Sequence, residues 1–289
     1  MVNEQEASVF EVQRLLEVEE LDTDFYRGAA RPEEGGRIYG GQVIAQALAS
    51  AVASVEPGRA AHSLHAYFLR AGDITRPVIY RVIRDFDGGS FANRRVVALQ
   101  DGRPILNLAA SFQRPEKGLA YRGPMPQPPG PKSAKPLADF LTAAMGTLPW
   151  PFRDLALALD MRVGQIDAKG ADPSVGMPGL PSQCAWFRLP AGLDEIQART
   201  ALALVSDYGL INTALLPHEK GWSSPDIQSA SLDHAIWFHE TPPLGEWLLY
   251  TMDSPWSGHG RGLARGTIFT QDGGMIASMT QEGLIRHRP

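Results

Sequence analysis

The chain repeats itself, and the repeat restricts its fold more than any other feature. Tyr67-Phe68 and Tyr80 are matched by Trp237-Phe238 and Tyr250, each 170 residues later. Arg94, Gln100-Asp101-Gly102 and Ile105 are matched by Arg265, Gln271-Asp272-Gly273 and Ile276, each 171 residues later. Upstream, Tyr39-Gly40 precedes an apolar stretch just as Tyr208-Gly209 does, 169 residues later. A near-constant offset of this kind points to a duplicated module. A chain of 289 residues has room for two, each with its own core.

Both copies read in the same order. A helix-like stretch, residues 41–54 in the first copy and 208–216 in the second, precedes several strand-like runs. Residues 79–83, 92–99 and 105–112 are rich in β-branched, aromatic or alternating apolar side chains. Asp101-Gly102 and Asp272-Gly273 carry hairpin-turn chemistry. One long helix followed by an antiparallel meander is an α+β plan in which a sheet wraps a helix. Between the copies lie Pro124, Pro126, Pro128, Pro129 and Pro131, which can continue neither a helix nor a central strand. The expected organisation is an N-terminal module over residues 1–118, a Pro-rich linker over 119–150 and a C-terminal module over 151–289. At the N-terminus, Val9, Phe10, Val12, Leu15 and Leu16 have helical spacing among many glutamates. That is an amphipathic helix rather than a signal peptide.

Composition removes several function classes. A net charge of −5 argues against a nucleic-acid groove. The basic residues are 22 Arg and 5 Lys, so a small anion could still be gripped by guanidinium forks. The longest near-apolar run, residues 43–55, is too short for a membrane span. Cys184 is the lone cysteine, which excludes an internal disulfide and suits a reducing compartment such as the cytoplasm. The pairs His62/His65 and His234/His239 lack the company of a zinc site, so no metal is expected. No G-x-S-x-G elbow opens a helix, and no P-loop or dinucleotide fingerprint occurs, so no cofactor is expected either.

Three polar residues of the second copy stand out. Asp207 lies at the start of the helix-like run, Ser231 enters a strand, and Gln281 lies in the last strand. Singly, each reads as ordinary: an N-cap, a strand serine, an edge glutamine. Several strings along the chain are not ordinary. Residues 38–43 (Ile-Tyr-Gly-Gly-Gln-Val), 62–73, 232–239 (Leu-Asp-His-Ala-Ile-Trp-Phe-His), 246–250 (Glu-Trp-Leu-Leu-Tyr) and 266–283 resemble acyl-CoA thioesterase II. The resemblance runs from about residue 10 to residue 287 and is weakest through the Pro-rich linker and residues 149–179.

The resemblance implies a double hot-dog fold, two tandem modules each with an antiparallel sheet wrapped around a central helix. It implies hydrolysis of acyl-CoA, with medium- to long-chain substrates, to a free fatty acid and coenzyme A. It also implies a catalytic set in the second module that maps onto Asp207, Ser231 and Gln281 by their flanking strings. Members often carry Thr where this chain has Ser231, but the hydroxyl is kept. In that role Asp207 takes a proton from a water held by Ser231 and Gln281. Backbone amides near Gly40 and Gly41, or near Tyr208 and Gly209, meet the oxyanion, with no choice between them from sequence. Arg70, Arg94 and Arg95 are candidates for the phosphates of coenzyme A. Homo-dimers or homo-tetramers follow from the same resemblance. Two readings compete: a non-catalytic acyl-CoA binding protein, and a hot-dog enoyl-CoA hydratase or dehydratase. The latter usually needs an Asp-His pair on its helix, and residues 40–54 and 205–216 contain no histidine.

Overall fold

The computed structural model describes residues 4–31, 34–145, 151–164, 182–221 and 224–288. Helix α1 (Glu4–Leu16) has the expected amphipathic pattern, with Val12, Leu15 and Leu16 buried and Phe10 exposed. The first repeat continues with β1 (Glu19–Asp22), β2 (Phe25–Gly28), α2 (Gly40–Ala53), β3 (Ala60–Phe68), β4 (Val78–Asp87), β5 (Phe91–Gln100) and β6 (Arg103–Gln113). Next come β7 (Lys135–Pro136), α3 (Leu137–Met145), α4 (Phe152–Ala158) and β8 (Arg162–Val163). The second repeat holds β9 (Ser182–Arg188), α5 (Glu195–Ser206), a 3-10 helix (Ile211–His218), β10 (Ile227–Ser231), β11 (Asp233–Phe238), β12 (Trp247–Gly258), β13 (Arg261–Thr270) and β14 (Met275–His287). Strand β7 and helix α3 fall inside the stretch 119–150, whose last residues, 146–150, lie outside the described residues.

The strands form one continuous antiparallel sheet in the order β1-β2-β4-β5-β6-β3-β11-β14-β13-β12-β9-β8-β7, with β10 also pairing β14. The two repeats meet at β3 and β11, where Tyr67 faces Asp233 and Ser63 faces Trp237. Both expected hairpin turns form. Asp101 and Gly102 adopt φ of 49° and 72°, and Gly273 adopts 87°, the left-handed backbone that Asp-Gly tolerates. Alternation along β5 turns Ala92, Arg94, Val96 and Ala98 inward, and the arginine among them needs an explanation.

Helix α2 is enclosed by the sheet. Its alanines (Ala45, Ala47 and Ala51) allow close approach, and Ile44 and Leu48 are fully buried. Each of those two side chains contributes about 1.5–3 kcal/mol by leaving water. Its counterpart is α5, and here the sequence reading needs correction. The second central helix was expected over residues 208–216, with Asp207 at its start. Instead α5 ends at Ser206, Asp207 is its C-cap, and residues 211–218 form a 3-10 helix. The local chemistry explains this. Asp194 and Gln197 form a capping box that starts the helix early, and Gly209, at φ 73°, follows its end. The match of Tyr39-Gly40 to Tyr208-Gly209 therefore pairs the start of one helix with the end of the other.

Candidate active site

Helices α2 and α5 pack side by side, so that the N-terminus of α2 meets the C-terminus of α5. This contact has steric and electrostatic requirements. A Cβ on Gly41 would lie 2.4 Å from the Leu204 carbonyl oxygen, and one on Gly40 would lie 2.8 Å from Asp207 Oδ2. Glycine at 41 lets the two backbones approach, and glycine at 40 leaves room for the Asp207 carboxylate. Tyr39, the residue before α2, donates its hydroxyl to the Leu204 carbonyl at 2.9 Å. The side chain of Tyr39 does not cap α2. The amide of Gly41 instead donates to the carboxylate of Asp207.

Asp207 thus sits at the negative end of its own helix and at the positive end of its neighbour. It is buried, and burial is the largest influence on its pKa, pushing it up to about 6. Hydrogen bonds from Gln281, from the Gly41 amide and from Ser231 pull the other way. Gln281, fully buried on β14, donates Nε2–H to Asp207 Oδ1 and also reaches Ser231 Oγ at 3.1 Å. Its other polar atom, Oε1, is buried without a hydrogen-bond partner among the described residues. Ser231 ends β10, which pairs with the same β14 strand; Ser231 stands opposite Gly283. The three residues named from sequence therefore touch one another, although they come from a helix end and two strands.

A cavity of about 510 Å³ opens over this cluster and includes Asp207 and Ser231 in its wall. Gly40, Arg70, Tyr208 and Gly209 also line it. The lining has two characters. Arg37 and Arg70, both exposed, stand on one part. Val43, Phe68, Leu106, Leu141 and Phe152 make another part apolar. Phe152 packs edge-on to Tyr39 and Tyr208, with centroids at 5.3 and 5.7 Å.

Two of the expected phosphate contacts are absent from this cavity. Arg94 is buried on the inner face of β5. It donates to Ser54 Oγ and the carbonyl oxygens of Ser54, Phe86 and Asn93, and it pairs with Asp87 at 2.7 Å. Its fork closes the C-terminal end of α2 and is spent there. Arg95, on the opposite face, is exposed and bound in fork geometry to Asp85 at 2.6 and 3.0 Å. Sequence reasoning missed Arg37, Tyr39 and Phe152. No spacing marks the first and last, while Tyr39 stands out in the repeat and in the string at residues 38–43, neither of which gives its hydroxyl a role.

Two family models match the chain. The acyl-CoA thioesterase N-terminal domain matches residues 30–113, and the acyl-CoA thioesterase C-terminal domain matches residues 126–285. The chain is 38% identical to Acyl-CoA thioesterase 2 of Haemophilus influenzae over 275 residues, covering 94% of this chain and 96% of that one. It is 37% identical to human Acyl-coenzyme A thioesterase 8 over 291 residues, covering 96% and 89%. Among solved structures, acyl-CoA thioesterase II TesB2 from Mycobacterium marinum superposes with a TM-score of 0.79 at 36% identity, over 96% of this chain and 98% of that one. A hot-dog protein from Alicyclobacillus acidocaldarius, at 17% identity and a TM-score of 0.72 over 96% and 98%, shares the fold. With the sheet-wrapped helices, the cavity and these matches in agreement, the chain belongs to the acyl-CoA thioesterase family, a group of double hot-dog thioester hydrolases.

Proposed function

We propose that this thioesterase cleaves acyl-CoA by direct attack of a water that Asp207 deprotonates. The observation that carries the reading is the convergence of a raised carboxylate and a hydroxyl in one cavity wall with a buried carboxamide that bonds both. A carboxylate with a pKa of about 6 is still ionised at neutral pH and is a better base than an ordinary aspartate. Ser231 and Gln281 hold the water, and the unpartnered Oε1 of Gln281 accepts one of its hydrogens. The water's other proton passes to Asp207 as its oxygen bonds to the thioester carbonyl carbon. Collapse of the tetrahedral adduct breaks the C–S bond, and the proton leaves with the coenzyme A sulfur.

The developing oxyanion is met at the start of α2. Gly41 N–H is committed to Asp207, which leaves the neighbouring amide of Gly40 for this task. Tyr208 and Gly209 follow the negative end of α5 and are less suited to an anion; they line the acyl side instead. Arg70, with Arg37, faces the phosphates of coenzyme A, while Val43, Phe68, Leu141 and Phe152 receive a medium- to long-chain acyl group. The modules span residues 1–118 and 151–289, joined by 119–150. Tyr67 and Trp237, exposed on the adjacent strands β3 and β11, make the sheet's outer face our choice of contact for homo-dimers or homo-tetramers. No helix among the described residues is long and apolar enough to cross a membrane. The cytoplasm suits the lone Cys184.

The test is thiol release across acyl-CoAs of increasing chain length, for the wild type and Asp207→Asn. Turnover of the variant should fall by roughly 10²–10⁴-fold, the usual worth of a general base, with substrate affinity little changed. Near-normal turnover in a folded Asp207→Asn protein would sink the assignment. A protein that binds acyl-CoA tightly with no thiol release would instead be a carrier.

A further inference from the structure

Close to the trio lies a buried histidine that the mechanism does not use. His234, on β11, is 1% exposed, and its Nε2 lies 2.8 Å from Ser206 Oγ. Ser206 is the last residue of α5, directly before Asp207. Its hydroxyl also lies 2.9 Å from the carbonyl oxygen of Ala203. A hydroxyl has one hydrogen to give. If Ser206 gives it to Ala203, its oxygen must accept from His234, so the imidazole carries its proton on Nε2. His234 Nδ1 is buried with no hydrogen-bond partner among the described residues, which suits a bare lone pair better than a stranded N–H. Protonating that ring would bury an unpaired cation, and burial pushes its pKa down to about 3. The ring is therefore a neutral donor and not an acid, a base or a metal ligand at working pH.

The surroundings show what this donor holds. The last carbonyls of α5 are clamped from two sides: Tyr39 donates to Leu204 at 2.9 Å, and Tyr250 donates to Ser206 at 2.6 Å. His234 adds a tie to the strand that follows Ser231, three residues upstream. On that same strand Asp233 accepts the amide of Glu282 at 2.7 Å, next to Gln281. The His234–Ser206 bond thus joins the helix end that carries the base to the strands that carry its two partners.

We infer that His234 is a positioning residue, which fixes the Asp207 carboxylate against Ser231 and Gln281 by holding Ser206 through Nε2–H. The inference rests on Asp207 being the general base. A helix end that drifts by a fraction of an ångström would misalign the attacking water, and alignment is worth far more to turnover than to binding.

The experiment compares His234→Leu, His234→Gln, Ser206→Ala and the double variant His234→Leu/Ser206→Ala. His234→Leu removes the donor, and turnover should fall by roughly ten-fold, about the worth of one buried hydrogen bond, with KM within about two-fold. His234→Gln places a carboxamide N–H near the position of Nε2–H and should recover most of the loss. Ser206→Ala should match His234→Leu, and the double variant should be no worse than either, since all three break the same bond. Unchanged turnover in a folded His234→Leu or Ser206→Ala protein overturns the inference. So do additive losses, or equal impairment of the Leu and Gln variants. If His234→Leu does not fold, Ser206→Ala and His234→Gln decide the matter. Failure of the underlying reading looks different, because there Asp207→Asn itself retains turnover.

Discussion

Asp207→Asn should change the pH dependence of stability as well as lower turnover. Burial raises the Asp207 pKa from 3.8 to about 6, so the folded protein keeps a proton that the unfolded chain releases. The sign follows from linkage. The stabilising contribution of the protonated carboxyl is complete below the unfolded pKa and is lost as pH rises through the folded one. A gap of this size corresponds to about 3 kcal/mol, at about 1.4 kcal/mol per unit. Wild type should therefore lose about 3 kcal/mol from this group between roughly pH 4 and pH 7, and asparagine should lose none of it. Asparagine cannot accept the same hydrogen bonds as a carboxylate, which adds an offset, but that offset does not vary with pH. The assay is urea unfolding of both proteins at pH values from about 4 to 8, read as the difference between their free energies. That difference should move in favour of asparagine as pH rises, then level off above about pH 7. A difference that stays flat with pH would refute the claim that the carboxylate is desolvated. The turnover of wild type should show an acidic limb near the same pKa of about 6.

Other predictions follow from the packing. Gly41→Ala should cost at least roughly 2 kcal/mol in thermal unfolding and lower turnover, since its Cβ would meet the Leu204 carbonyl at 2.4 Å. Arg94→Met should destabilise by roughly 2–4 kcal/mol because it strands the carbonyls of Ser54, Phe86 and Asn93 and leaves Asp87 unpaired, while leaving KM of the folded enzyme unchanged. A raised KM would restore Arg94 to the substrate site. Residues 1–120 and 136–289 expressed apart should aggregate or fail to melt cooperatively, because each would expose the β3–β11 edge and one face of its helix.

Much of this fold is written in local chemistry. Asp-Gly pairs mark the two hairpins, alternation marks β5 and β6, and the repeated strings mark the duplication. The misplaced second helix shows where such reasoning slips. Asp194-x-x-Gln197 carries a helix start in plain view, but a Tyr-Gly match suggested another location, and insertions between helix and strand are invisible to a fixed offset. The trio could be named from its flanking strings, yet its geometry could not. That the Gly41 amide would serve Asp207, far away in the chain, depends on how the two helices pack. The burial of Arg94 is a tertiary fact as well. Alternation turns it inward, but the carbonyls of Ser54 at the end of α2 and of Phe86 and Asn93 on β4 and β5, together with Asp87, make an inward guanidinium tolerable.

The seam between β3 and β11 has a consequence for how such an enzyme can vary. Asp207 belongs to the second repeat and its amide partner Gly41 to the first, so the pairing of Tyr67 with Asp233 acts as a ruler between them. A slip of one residue along that seam would carry one repeat past the other by roughly 3.3 Å, more than the length of a hydrogen bond. Loops away from the cavity can therefore drift through mutation, whereas an insertion or deletion within either seam strand would silence the enzyme at a stroke.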